Sequence, residues 1–116
     1  AIIIMGHEAC GAVKAAGLPK QAIESEPPQL SNCLLQMKSG MDLERLAGVR
    51  DPRARDREAV VENIYAQVDV LSQDSRIMEK VENDELIICG AFYEISSGIV
   101  DFFGEISQEC PYLGMC

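Results

Sequence analysis

Apolar positions along the chain fall into three kinds of pattern, and each predicts a different element. Ile2 to Met5 is an unbroken apolar run closed by Gly6, which predicts a strand buried on both faces of a parallel sheet. Cys10 to Ala16 is built of small, helix-compatible residues and ends in Gly17 Leu18 Pro19, the glycine-then-proline stop of a short helix. Glu24 to Pro28 reads as a loop. Leu30, Leu34, Leu35 and Met37 then recur at helical spacing until Ser39 Gly40 interrupts them, and Met41 to Leu46 forms a further short turn of helix. Arg50 to Arg57 reads as a mixed-charge linker broken at Asp51 Pro52. From Asp56 to Ser72 the stripe Val60, Ile64, Val68, Leu71, widened by Val61 and Tyr65, predicts the longest helix. Leu86 to Ile95 is strand-like, Ser96 Ser97 Gly98 is a tight turn, and Ile99 to Phe103 returns as the second arm of a hairpin. Gly104 to Cys116 has no period. The order predicts an α/β fold, one domain over 1–103, with 104–116 as a tail.

Composition narrows the classes of function. In 116 residues, 47% hydrophobic, the chain holds enough apolar material for one core, and at this size folding buries roughly two-thirds of the unfolded surface without help from disulfides or metal. The formal net charge is −9, which argues against nucleic acid or an anionic membrane surface as partner, because both need clustered Lys and Arg. The charge is uneven: residues 1–60 hold 8 acids and 8 bases, whereas 61–116 hold 11 acids with only Arg76 and Lys80. A solvated acidic surface is the simpler reading of that half. No apolar stretch approaches the roughly 20 residues that span a bilayer, and no secretory leader pattern is visible. Five cysteines, odd in number and irregularly spaced, fit a reducing intracellular compartment, the cytoplasm or an organelle such as a chloroplast or mitochondrion, better than a secreted disulfide framework.

One constellation carries chemistry, His7 and Cys10 in Gly6 His7 Glu8 Ala9 Cys10 Gly11. They stand at the exit of the first strand and the entrance of the first helix, where open α/β sheets bind their ligands. Gly6 is expected to let the backbone turn sharply, and Gly11 to let the helix approach closely. Imidazole and thiolate together are borderline-soft zinc ligands, and a helix start favours the thiolate. Two ligands do not make a site. Cys33 and Cys89 are read as small buried hydrophobes, Cys110 and Cys116 are given no role, and Glu8 is read as a solvent-facing carboxylate.

The run Ile2 Ile3 Ile4 Met5 Gly6 His7 Glu8 Ala9 Cys10 Gly11 Ala12 Val13 Lys14 Ala15 closely resembles the G-H-x-x-C-G-A-V/I-x-A signature of β-class carbonic anhydrases. Val61 Glu62 Asn63 Ile64 with Gln67, Val68 and Leu71 resembles that family's long helix. Leu86, Gly90, Tyr93, Ile95, Ser97 Gly98 and Val100 resemble its closing hairpin. The resemblance implies a mainly parallel sheet flanked by helices with a C-terminal hairpin, the N-terminal strands missing from this chain. It implies reversible hydration of carbon dioxide to bicarbonate and a proton, dependent on Zn²⁺, with His7 and Cys10 as two of three protein ligands. The third is the cysteine of an upstream C-x-D-S/T-R motif, whose Asp-Arg dyad is likewise absent from this chain. Ser72 Gln73 Asp74 Ser75 Arg76 imitates that motif, but it follows a helix, and a serine hydroxyl is a poor zinc ligand. Asp74 or Ser75 is expected to cap a helical turn instead. The family also implies a homodimer or higher oligomer, with carbon dioxide and bicarbonate as small-molecule partners. The alternative is a carbonic-anhydrase-like chain that serves as an inactive structural or scaffolding subunit of a larger assembly. An apolar start at Ala1 and a sheet with one parallel strand and a hairpin favour truncation over a complete protein.

Overall fold

The computed structural model describes every residue from Ala1 to Cys116. Its elements run β1 (Ile2–His7), α1 (Gly11–Ala16), α2 (Lys20–Glu24), α3 (Pro28–Ser39), α4 (Leu43–Ala47), α5 (Pro52–Ser72), α6 (Ser75–Glu82), β2 (Ile88–Glu94) and β3 (Ile99–Ile106). The three strands form one sheet in the order β1-β2-β3. β1 pairs parallel with β2, and β2 antiparallel with β3. The expected α/β fold with a parallel pair and a closing hairpin is what forms. Two compact units divide the chain, Ala1–His7 with Ile64–Cys116, and Glu8–Asn63. Helix α5 begins in the second and ends in the first.

In the sheet unit the core is built from Ile64 and Val68 of α5, Val81 of α6, Ile88, Ala91 and Phe92 of β2, and Ile106 of β3, all buried. Gly90 sits in the middle of β2 because something must approach there: a Cβ at this position would stand 2.7 Å from Ile64 Cγ2 and 3.0 Å from Phe103 Cε2. The missing side chain is what lets the helix lie on the strand. Next along the helix, Tyr65 stacks at a tilt on Phe103 with ring centroids 5.2 Å apart.

Two expectations about the strands change. In this chain β1 is not buried on both faces: its exposure alternates, and Ile3 and Met5 are about half exposed, because successive side chains point to opposite faces and the one they share is the less covered. The strand also passes through Gly6 to His7, which pairs with Tyr93. At the other edge β3 does not stop at Phe103 but reaches Ile106. Gly90 pairs with Phe103 and Ile88 with Ile106, so β3 takes one residue more than β2 over the same stretch. That bulge falls on Gly104, whose φ of +66° suits glycine. A residue inserted into the alternation hides the end of the strand from a period-two reading.

In the other unit, Ala16 of α1, Ile23 of α2 and Leu34 of α3 form a small core. Helix α2 has one buried apolar residue, Ile23, and so shows no period in the sequence. Prolines start helices here. Pro27 caps α3 from extended backbone with Pro28 in the first turn, where the absent N–H is not needed. Pro52 likewise opens α5, which thereby absorbs the expected linker, while Asp51 Oδ1 accepts from Arg53 N at 3.3 Å. Cys33, expected inside, is exposed on α3 beside buried Leu34. No helix is long and apolar enough to cross a membrane.

The contact at Gly90 gives a direct test. Gly90→Ala is expected to lower stability by about 1–3 kcal/mol through overpacking, read from the denaturant midpoint. Combined with Ile64→Ala, which removes the opposing methyl, the two losses should add to less than their sum.

Candidate functional site

His7 is the last residue of β1 and is exposed, its backbone in register with Tyr93. Cys10 is the N-cap of α1, in extended backbone, and its carbonyl accepts from Lys14 N at 3.1 Å. Its side chain makes no cap hydrogen bond, and its sulfur is in no disulfide. Between them the chain turns at Ala9, which has φ +57°. The sharp turn therefore falls on a residue with a Cβ and not on Gly6, and the left-handed region costs alanine about 1–2 kcal/mol. Strain of this kind persists where surrounding structure over-determines it. Glu8 supplies part of that structure: its carboxylate lies 3.0 Å from the Arg53 guanidinium and its side chain is only 22% exposed, so it is not the solvent-facing group expected. Gly11 is not at a close approach, since a Cβ there would meet nothing within 4 Å.

Within the Glu8–Asn63 unit a cavity of about 490 Å³ opens beside Cys10. Its walls are largely apolar, with Val13, Leu18, Met41, Leu46 and Val60 among them. Two of its polar members face each other, Lys14 Nζ standing 3.3 Å from Asp56 Oδ2. Arg55, also on the lining, donates from Nε to the Val49 carbonyl at 2.9 Å. Cavities of this size with few polar groups are the usual form of small-molecule sites. No motif announced it, because α1, α4 and α5 contribute two, three and four lining residues of ordinary helix character.

A neighbouring network steadies the start of the unit's longest helix. Arg45 Nη2 reaches Glu58 at 3.2 Å and Glu62 at 3.0 Å, and those bonds hold the guanidinium's proton more tightly than usual, Glu62 foremost. Glu62 Oε1 also accepts from Asp42 N at 2.7 Å. The next residue, Asn63, buries its Oδ1 without a donor in the chain.

The donor chemistry of His7 and Cys10 suits zinc, but these residues bring no group of three or more His, Cys, Asp or Glu together in a way that could hold a metal ion. His7 is the one histidine. Cys89 is half-buried on β2, and burial, then the charge of Glu105, pushes its thiol pKa up, away from the thiolate a metal needs. Cys110 and Cys116 are bonded to each other. The imitation motif behaves as a cap: Asp74 Oδ1 accepts from Arg76 N at 2.9 Å and Ile77 N at 3.2 Å at the start of α6. Arg76 also pairs with Asp74 Oδ2 at 3.3 Å.

Comparison with known proteins gives a consistent result. A family model described as carbonic anhydrase matches residues 1–100. Carbonic anhydrase 2 of Mycobacterium tuberculosis is 26% identical over 123 residues, covering 93% of this chain and 52% of its own. Among solved structures, a tetrameric β-carbonic anhydrase of Sordaria macrospora superposes with a TM-score of 0.79 at 25% identity, over 91% of this chain and 53% of that one. A Coccomyxa β-carbonic anhydrase, solved with acetazolamide, shares the fold with a TM-score of 0.72 at 19% identity, over 91% and 48%. The chain thus spans about half the length of the relatives it matches.

The cap at Asp74 carries a pH dependence. Hydrogen bonds from Arg76 and Ile77 hold its carboxyl below the ordinary 3.8. A lowered folded-state pKa stabilises above the unfolded value and loses that contribution as pH falls through the folded one. Asp74→Ala is therefore expected to lower Tm at neutral pH, and the gap to the parent should shrink as pH falls below the ordinary 3.8 and through the lowered pKa, followed by circular dichroism.

Proposed function

The chain belongs to the carbonic anhydrase family, in its β class, and from that premise we propose that it takes part in zinc-dependent reversible hydration of carbon dioxide to bicarbonate and a proton. His7 and Cys10 are proposed as two of the metal's protein ligands. The observation that carries this reading is their position, three residues apart where β1 ends and α1 begins, within the 1–100 match to the family. One imidazole and one thiolate are half or more of a zinc site. The remaining ligand is proposed to come from outside this set of residues, where no group of three or more His, Cys, Asp or Glu that could hold a metal ion forms.

When bound, zinc supplies the Lewis acidity that makes water a nucleophile near neutral pH. What the chain's own residues contribute is placement. The left-handed turn at Ala9 and the Glu8–Arg53 pair hold the residues that lead into Cys10. Cys10 is presented from an N-cap whose backbone is engaged by Lys14 while its side chain is not spent on the cap. The apolar walls beside Cys10 suit a small apolar molecule such as carbon dioxide. An oligomer is part of the proposal, supported by the tetrameric Sordaria macrospora relative, and so is a reducing compartment that keeps Cys10 a thiol.

The test is metal content together with turnover in the full-length natural polypeptide. The expected result is about one Zn²⁺ per chain, and loss of metal with a fall in carbon dioxide hydration of more than about 100-fold in His7→Ala or Cys10→Ser, beyond what losing a second-shell partner costs. With Co²⁺ in place of zinc, a thiolate-to-metal absorption band should be present in the parent and absent in Cys10→Ser. A folded native assembly without zinc or activity would sink the proposal in favour of a scaffolding subunit.

A further inference from the structure

The C-terminal segment holds a sulfur pair that carbon dioxide chemistry does not use. Cys110 and Cys116 are joined, six positions apart, with Cα atoms 5.9 Å from each other, at the common separation for disulfides. Local structure brings them there. Ser107 and Cys110 exchange backbone hydrogen bonds, Ser107 N to Cys110 O at 2.9 Å and Cys110 N to Ser107 O at 3.1 Å, and Ser107 Oγ also accepts from Cys110 N at 3.2 Å. Cys110 is thereby fixed just past the end of β3 and buried, 5% exposed. Gly114, with φ +83°, then turns the chain back, and Cys116 closes the loop from an exposed position. The closed loop lays Leu113 near Gly104, where a Cβ would meet its Cδ2 at 3.5 Å.

The two cysteines therefore differ in exposure. We propose that Cys110–Cys116 is a thiol–disulfide exchange site for low-molecular-weight thiols, entered at Cys116 and resolved by Cys110. In the reducing direction a thiolate attacks the sulfur of Cys116, the exposed residue of the pair. A new sulfur–sulfur bond forms there, the Cys110–Cys116 bond breaks, and the electron pair leaves on Cys110, which takes a proton from solvent. A second thiolate then attacks the sulfur of the small thiol in the mixed disulfide, releasing the small-molecule disulfide and the Cys116 thiolate. In the oxidising direction the small-molecule disulfide thiolates Cys116, and Cys110, held nearby by Ser107, attacks that adduct and expels the small thiol. The buried member is not the one attacked by the small thiol; it needs only its short reach to Cys116.

Glutathione and its disulfide serve as the probe. Full-length protein is equilibrated with a large excess of glutathione disulfide, quenched in acid, alkylated in denaturant and cleaved after Glu109. The Cys110–Cys116 peptide should appear unalkylated and two hydrogens lighter, and should become doubly alkylated as reduced glutathione is raised. Cys110→Ser should retain one glutathione on Cys116. Cys116→Ser should thiolate at Cys110 several-fold more slowly than Cys116 reacts in the other variant. Amide exchange around Gly104 should quicken on reduction as Leu113 is released. Double alkylation in excess glutathione disulfide, or equal thiolation rates in the two variants, would overturn the proposal. None of these readouts depends on zinc or on carbon dioxide hydration, so the two proposals stand or fall separately.

Discussion

The sheet unit depends on one close approach, Ile64 of α5 against the bare backbone of Gly90. A helix can lie this near a strand only where the strand lacks a side chain, and the distance would not admit even a methyl group without displacement. From that contact the neighbours follow. Tyr65, next on the helix, meets Phe103 on the adjoining strand, and Gly104 lies under the Tyr65 ring in a conformation that glycine tolerates. Val68, one turn further on, is buried with Ile88 and Phe92. The bulge that carries β3 on to Ile106 is part of the same arrangement, since the extra residue is that glycine.

The candidate metal donors depend on a different kind of constraint, local backbone geometry. Ala9 holds a left-handed conformation that a glycine would adopt with less strain, and Glu8 is tied to Arg53 across a wide gap in sequence. Arg53 is available because Pro52 starts α5 one residue earlier. A proline that looks like a break in the sequence is thus what places a cation beside the turn. The residues leading into Cys10 are held by an ion pair and a strained residue.

Much of the chain was legible in advance for reasons that can be named. Val60, Ile64 and Val68 recur at helical spacing because one face of α5 is buried along its length, so the helix is visible without knowing its partners. Asp74 was readable as a cap because a short acceptor before a helical run satisfies the first N–H groups wherever that helix lies. His7 and Cys10 stood out because chain order puts them on the strand's end and the helix's start, and three residues of separation need no tertiary information. The family resemblance, carried by spaced blocks over most of the chain, agrees with the match over residues 1–100.

What the residues alone determined was set by near neighbours: the strands and the longer helices in order, though not α2, the hairpin turn, the cap at Asp74 and the sulfur–imidazole pair. Tertiary structure decided what depends on who lies alongside. It left Ile3 and Met5 on one face of β1 half exposed in this chain, although an unbroken apolar run reads as buried on both sides, because burial depends on neighbouring layers that the run itself does not encode. It put Cys33 outside and joined Cys110 to Cys116, since a cysteine's fate is settled by distance in space and not by spacing along the chain. It also assembled the cavity beside Cys10 from three helices whose residues have nothing in common until they meet.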